Sequence, residues 1–211
     1  MSMLCTLTDV KTMLGITDDT QDAKLTLIIK GVSAQIEGYL GYTLGMADYT
    51  EEVHNVNNRQ LMQLNHFPLR SVSSVTLNDA EINDYKIIEE YARWGLLYRG
   101  NGWGGRVYTQ TFEHDVVGGA FDYSVCYKAG YYLPGDTGYT EGASDSLPYD
   151  IYSACLALVC QKYTADVNGA IGIKSHSEGG ISDTYGDVST EIGLTDSIKK
   201  TLAKYVWYGV A

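Results

Sequence analysis

Between positions 151 and 160 only Ser153 is clearly polar. A helix apolar around most of its circumference has to be enclosed on most sides. Pro148 suits the first helical turn, where its missing N–H costs nothing. Asp150 also falls in that turn, where the helix dipole favours an anion. Residues 147–167 (LPYDIYSACLALVCQKYTADV) therefore read as the central helix of a core, too short and too interrupted by Tyr, Ser, Gln and Lys to span a bilayer.

Elsewhere the pattern predicts three more helices. In residues 4–16, Thr6 or Thr8 serves as N-cap, Val10, Met13 and Leu14 follow at helical spacing, and Gly15 closes. In residues 22–40 the apolar positions Leu25, Ile28, Ile29, Val32, Ile36, Tyr39 and Leu40 fall on one helical face, and Gly41 ends it. Gly31 and Gly38, poor helix formers, would let another backbone approach closely. Thr195 caps a last helix over 196–207, with Ile198, Leu202, Tyr205 and Val206 on one side.

After Leu44 the period shortens to two. Residues 52–56, 60–64, 72–77, 85–88, 94–98, 107–112 and 121–127 alternate as strands do, with 100–105 (GNGWGG) as a flexible tip. Residues 131–146, rich in Gly, Tyr and Asp, read as a surface loop. Residues 168–193 hold many glycines and hydroxyls without periodicity, a length of loop that is usually functional or disordered. The expected fold is α+β: a core of about four helices with an antiparallel β-rich insertion between the second and third. One domain is expected over 1–211, with helical core 4–44 and 147–208 and insertion 47–135.

The chain has 211 residues and a net charge of −11. Divided before Ala47 and before Leu147, it carries −2, −7 and −2, so no segment is basic. A nucleic-acid grip through phosphate neutralisation is thus disfavoured. The start shows no basic, apolar leader with a small-residue cleavage site, so no secretory signal is expected. Cys5, Cys126, Cys155 and Cys160 read as free thiols, mostly buried, and the five-residue step from Cys155 to Cys160 is a poor fit to a zinc pair.

No constellation of catalytic residues is legible. The Gly100–Gly105 run lacks the Lys-Ser/Thr ending of a phosphate loop, and no helix follows it. His54, His66, His114 and His176 lie far apart and match no metal spacing. Paired acids such as Glu89-Glu90 would point to opposite faces of a strand. Ser175 and His176 are sequence neighbours, which is not triad geometry. Tyrosine is abundant, with 18 residues, and clusters at 127–139 and 205–208; tyrosine is enriched at interfaces. No enzyme activity, cofactor or metal is expected.

The ordered phrases LCTLTDVKTMLGI, IEGYLG, HFPLRSVSSVTLND, VCYKAGY, LPYDIYSACLALVCQKY, SHSEGGISDTYGD and TDSIKKTLAKYVW, spread over nearly the whole chain, resemble the head–tail connector (adaptor) family of tailed bacteriophages. The resemblance implies a structural virion protein and a helical core with a β-rich insertion. It implies a homo-oligomeric ring, typically of twelve subunits, beneath the portal protein. Such a ring extends the DNA channel and presents a surface to the next neck or tail-completion protein. Double-stranded DNA would pass through without specific binding, no membrane would be involved, and the chain would reside in the host cytoplasm before entering the virion neck. The segment 131–146 is longer than the family pattern. On this reading Ser175, Ser177, Gly179, Gly180 and Tyr185 on one arm, and Tyr205, Trp207 and Tyr208 near the C-terminus, are the expected interface residues. The competing expectation is a carbohydrate- or receptor-binding β-rich module of a phage particle, drawn from the Tyr/Gly-rich β region.

Overall fold

The computed structural model describes residues 3–55, 59–77, 80–103, 122–167, 175–178, 181–184 and 193–206. It combines helices with antiparallel sheets. In chain order the elements are α1 (Leu7–Leu14), α2 (Asp22–Leu40), β1 (Ala47–Asn55), β2 (Arg59–Gln63), β3 (Leu69–Leu77), β4 (Ala80–Glu81) and β5 (Tyr85–Lys86). There follow α3 (Glu89–Ala92), β6 (Leu96–Trp103), β7 (Asp122–Ala129), α4 (Tyr149–Val167), β8 (Ser175–Glu178), β9 (Ile181–Thr184) and α5 (Asp196–Leu202), the last running into a single 3-10 turn, Ala203–Tyr205. Two compact units result: one of residues 1–44 and 132–211, the other of residues 45–131.

In the helical unit α4 is the hub, in contact with α1, α2 and α5. It buries Ile151, Ala154, Cys155, Leu158 and Val159, and reaches solvent at Ala157 and Gln161. Opposite it, α2 buries Leu25, Ile29, Val32, Ser33, Ile36 and Leu40. Each fully buried Leu, Ile or Val contributes about 1.5–3 kcal/mol before the entropy of ordering the chain is subtracted. The ends are set by local chemistry. Thr6, rather than Thr8, caps α1: its Oγ1 accepts from the Asp9 N–H at 3.1 Å. Gly15 takes the left-handed conformation at φ 69°, and the Ile16 N–H reaches back to the Lys11 carbonyl at 2.9 Å. Lys11 then pairs with Asp19 at 2.7 Å and Asp22 at 2.8 Å, joining the end of α1 to the start of α2. Thr195 caps α5, accepting from the Ile198 N–H at 3.5 Å. A Cβ at Gly31 or Gly38 would meet nothing within 4 Å, so the close backbone approach expected there is not made by the described residues of this chain.

The β unit holds a four-stranded sheet, ordered β1-β7-β3-β4, and a three-stranded one, ordered β2-β6-β5. β7 alternates strictly: Tyr123, Val125, Tyr127 and Ala129 are buried, while Ser124, Cys126 and Lys128 are half-buried. One apolar cluster draws Val75, Tyr123 and Val125 from the larger sheet and Met62, Leu97 and Trp103 from the smaller. Within it Trp103 and Tyr123 meet edge to face, with centroids 5.5 Å apart. The buried Trp103 Nε1–H is satisfied by the Leu97 carbonyl at 3.0 Å.

Several expectations change. Gly100 to Trp103 is the end of β6 and not a flexible tip: β2 continues the ladder to Trp103, and burying that indole outweighs the entropy lost at two glycines. Glu89 and Glu90 lie in the first turn of the short α3, where two acids suit the helix dipole, and not on a strand. The strand expected at 85–88 stops at Lys86, and the last helix tightens to a 3-10 turn after Leu202. Residues 131–146 are tied down by main-chain and side-chain bonds. The Tyr132 N–H bonds the Asp145 carbonyl at 2.9 Å, the Leu147 N–H the Tyr132 carbonyl at 2.9 Å, and the Leu133 N–H the Asp136 Oδ2 at 2.8 Å. The expected strand at 107–112 lies outside the described residues.

Ser33 is fully buried on α2, and its Oγ accepts the Leu4 N–H at 3.0 Å. Ser33→Ala would strand that buried donor, so the urea midpoint should fall by the equivalent of about 1–3 kcal/mol with an unchanged slope. Gly130 sits at φ 108°, and a Cβ there would stand 2.4 Å from the Gly45 carbonyl oxygen. Gly130→Ala should therefore destabilise the β unit by about 2 kcal/mol or more, read from the same denaturation curves.

Candidate functional site

The expected interface residues fall in two places. Ser175 and Ser177 lie on β8, which pairs with β9 in an antiparallel hairpin, Ser175 opposite Thr184 and Ser177 opposite Ser182. The run of Ser, Asp and Gly had hidden any period in the sequence. Tyr205 ends the 3-10 turn and is half-buried. Gly179, Gly180, Tyr185, Trp207 and Tyr208 lie outside the described residues.

The segment bearing Tyr205 is fastened to the rest of the helical unit at several points. Leu202 is fully buried. Lys204 forms an ion pair with Asp150 in the first turn of α4, and the Tyr205 hydroxyl donates to Asp150 Oδ2 at 3.4 Å. Lys204 Nζ stands 5.2 Å from the Tyr205 ring centroid. The Tyr39 hydroxyl donates to the Lys199 carbonyl at 3.3 Å. The Lys204 ammonium bonded to Asp150 holds that carboxyl below the ordinary aspartate value, with a smaller contribution from the Tyr205 hydroxyl. Lys204 is raised in return, first by its bond to Asp150.

The same unit contains a cleft of about 470 Å³ that sequence reasoning missed. Asp9 and Met13 of α1, with its cap Thr6, form one wall, Gly135, Tyr139 and Glu141 of the 131–146 segment a second, and Tyr149 and Tyr152 of α4 a third. Gly135 bends the second wall at φ 98°. Tyr149 and Tyr152, three apart on the helix, hold their rings 5.7 Å apart at 32°. Burial, and then a bond to the Asp9 carboxylate, push the Tyr152 phenol well above its ordinary value. Burial followed by the charge of Glu141 raises Tyr139. Both phenols therefore stay protonated at neutral pH. The two tyrosines three apart on a predicted helix were the only sequence signal for this cleft.

Cys5 and Cys155 are buried free thiols with their sulfurs 3.5 Å apart, and hydrogen bonding between them together with burial raises the Cys5 thiol. Such a thiol is inert as a nucleophile or ligand at neutral pH. Among the described residues no three of His, Cys, Asp and Glu gather in a metal-binding group, and no helix is long and apolar enough to cross a membrane. His66 stacks on Tyr49 with centroids 3.6 Å apart, a packing arrangement within the β unit.

This architecture of a helical unit and a β unit is shared with a chain in a solved structure described as the neck of an empty GTA particle computed with C6 symmetry. The TM-score is 0.54 at 12% identity, covering 97% of this chain and 90% of that one. The fold is thus one used in a particle neck. The sequence narrows the class: a family model described as head completion protein matches residues 3–205, and the chain belongs to the head completion protein family. That is a family of structural phage proteins, and the likeness to head–tail connectors read from the ordered phrases is borne out. No curated protein matches the chain.

The Asp150 contact has a defined pH signature. Its carboxyl is depressed in the folded state, so its contribution is complete above the ordinary aspartate range and is lost as pH falls through the lower folded value. Asp150→Asn should loosen α5 at neutral pH, seen as faster amide hydrogen exchange over residues 196–205. The difference from the unsubstituted chain should stay constant down to mildly acid pH and vanish below the carboxylate range. The effect is small, because both partners are substantially exposed.

Proposed function

We propose that the chain is a head–tail connector that assembles as a closed ring below the portal of the capsid, extends the channel through which DNA passes, and offers the attachment surface for the next neck or tail-completion protein. The observation that carries this reading is the head completion family match over residues 3–205. The shared fold with a chain from a neck computed with C6 symmetry supports a ring whose copy number is a multiple of six, and twelve copies is our expectation. Head-to-tail closure requires two different complementary surfaces on each subunit. We assign one to the arm 168–193, with Ser175, Ser177, Gly179, Gly180 and Tyr185, and the other to the C-terminal aromatics Tyr205, Trp207 and Tyr208. The fastening of residues 196–205 to α4 supports this assignment, because it gives the chain beyond Tyr205 a fixed point of departure. We read the two units as parts of one connector domain.

The charge of −11 suits a conduit, since a wall that repels phosphates lets DNA slide rather than stick. The protein acts structurally and not as an enzyme, enters the virion from the host cytoplasm, and needs no cofactor. The competing reading, a glycan- or receptor-binding module, rested on aromatics of the β region. Of these Trp103 and Tyr123 are fully buried and take no part in a surface.

Removing residues 175–186 should abolish attachment to portal rings in negative-stain image averages while leaving the helical circular-dichroism signal intact. Normal attachment by that variant would reject the arm assignment.

A further inference from the structure

Several acids of the helical unit stand against cations. Asp19 and Asp22 share Lys11, Asp150 holds Lys204, and Asp166 holds Lys24. The cleft between α1, the 131–146 segment and α4 has no such cation. It contains two carboxylates, Asp9 and Glu141, and no basic residue among its described lining. Asp9 is held by Thr6 Oγ1 and Tyr152, and neither acid has a salt bridge among the described residues. Around the two charges stand three phenol rings, with Tyr149 and Met13 at the rim each 65% exposed.

We infer that this cleft is a docking site for a lysine- or arginine-bearing segment of a different protein, the cationic head lying among Tyr139, Tyr149 and Tyr152 and facing Glu141. Aromatic faces within about 6 Å attract an organic cation, and the attraction grows as the cation loses water. The stem of a long basic side chain would cover Met13 and the tyrosine edges, while its head reaches the carboxylates. A volume of about 470 Å³ accommodates such a side chain with part of its backbone, being of the size of ordinary ligand pockets. In the ring proposed above, contacts between copies are assigned to the arm and the C-terminal aromatics, which leaves this cleft to a foreign segment, and the net charge of −11 draws in a basic one. None of the described residues lining this cleft belongs to the arm or to the C-terminal aromatics, and its occupancy does not depend on ring formation.

The test uses the full chain and two capped pentapeptides, one with a central arginine flanked by alanine and glycine and the other with citrulline in its place, so that only the charge differs. In an NMR titration the arginine peptide should shift the Tyr139, Tyr149 and Tyr152 ring signals and the Met13 methyl saturably, at millimolar strength. Binding should weaken about five- to tenfold in Glu141→Lys and by a similar factor in Tyr149→Ala, both exposed positions whose substitution leaves the fold intact. The citrulline peptide should produce no saturable shift. Equal binding of both peptides would mean that a neutral segment fills the cleft and would overturn the assignment. So would self-association of the chain that Glu141→Lys removes, which would identify a second copy as the occupant. Absence of any saturable shift with the arginine peptide would overturn it as well.

Discussion

Leu25, Ile29, Val32 and Ile36 on α2 and Ile151, Cys155, Leu158 and Val159 on α4 are all withdrawn from water, and the contact between these two helices organises the helical unit. It joins segments more than a hundred residues apart in the chain. Ser33 Oγ and Cys155 Sγ, one from each helix, lie 3.9 Å apart at its centre. Because the contact is long-range, its formation has to overcome the closure entropy of everything between the helices. The intervening residues 45–131 recover part of that cost by building a core of their own. A chain whose helical halves are separated in this way can accept a large β region without sacrificing the helical contact.

The two units use different periods and different anchors. The helical unit relies on aliphatic ridges, with Thr6 and Thr195 setting where α1 and α5 begin and Gly15 and Gly41 where α1 and α2 end. The β unit relies on large aromatics. Trp103 and Tyr123 are completely covered, and the indole N–H, which burial would otherwise leave unpaired, donates to the Leu97 carbonyl. Arg70 adds a cation over the Tyr131 ring at 4.9 Å and donates to the Gly130 carbonyl at 2.8 Å, fixing the turn that leaves β7.

Legibility followed the strength of the local signal. The helices were readable because α2 carries an apolar stripe over many turns closed by Gly41, α4 is apolar almost all round, and the shorter α1 and α5 start at a Thr cap. β7 was readable because tyrosine and valine alternate with polar residues at period two. The β6 end was misread because GNGW advertises a turn locally, while the decisive term, burial of one indole against a distant strand, is tertiary. The hairpin of β8 and β9 was missed because four-residue strands as polar as SHSE and ISDT carry no hydrophobic period. The cleft was opaque for another reason. Asp9, Tyr139 and Tyr152 come from three segments spread over the chain, and no spacing rule joins residues that meet only after folding.

The exposed large apolar side chains extend the same argument to the surface. Leu27 is 71% exposed, Met13 and Tyr149 65% each, Val167 59% and Met3 36%, all in the helical unit; the β unit exposes Ile87 at 41%. A solitary exposed leucine is ordinary in any protein. Five in one unit among the described residues, with two of them bordering a cleft that has its own unmatched charge, is a different distribution. Burying such a side chain in an assembly returns about 1.5–3 kcal/mol without any further folding entropy for the helix that carries it. A structural protein of a particle gains most from interfaces built on elements that are already rigid, because little is then lost in ordering them. In this chain those elements are α1, α2 and α4, whose inner faces hold the core while their outer faces remain open to contact.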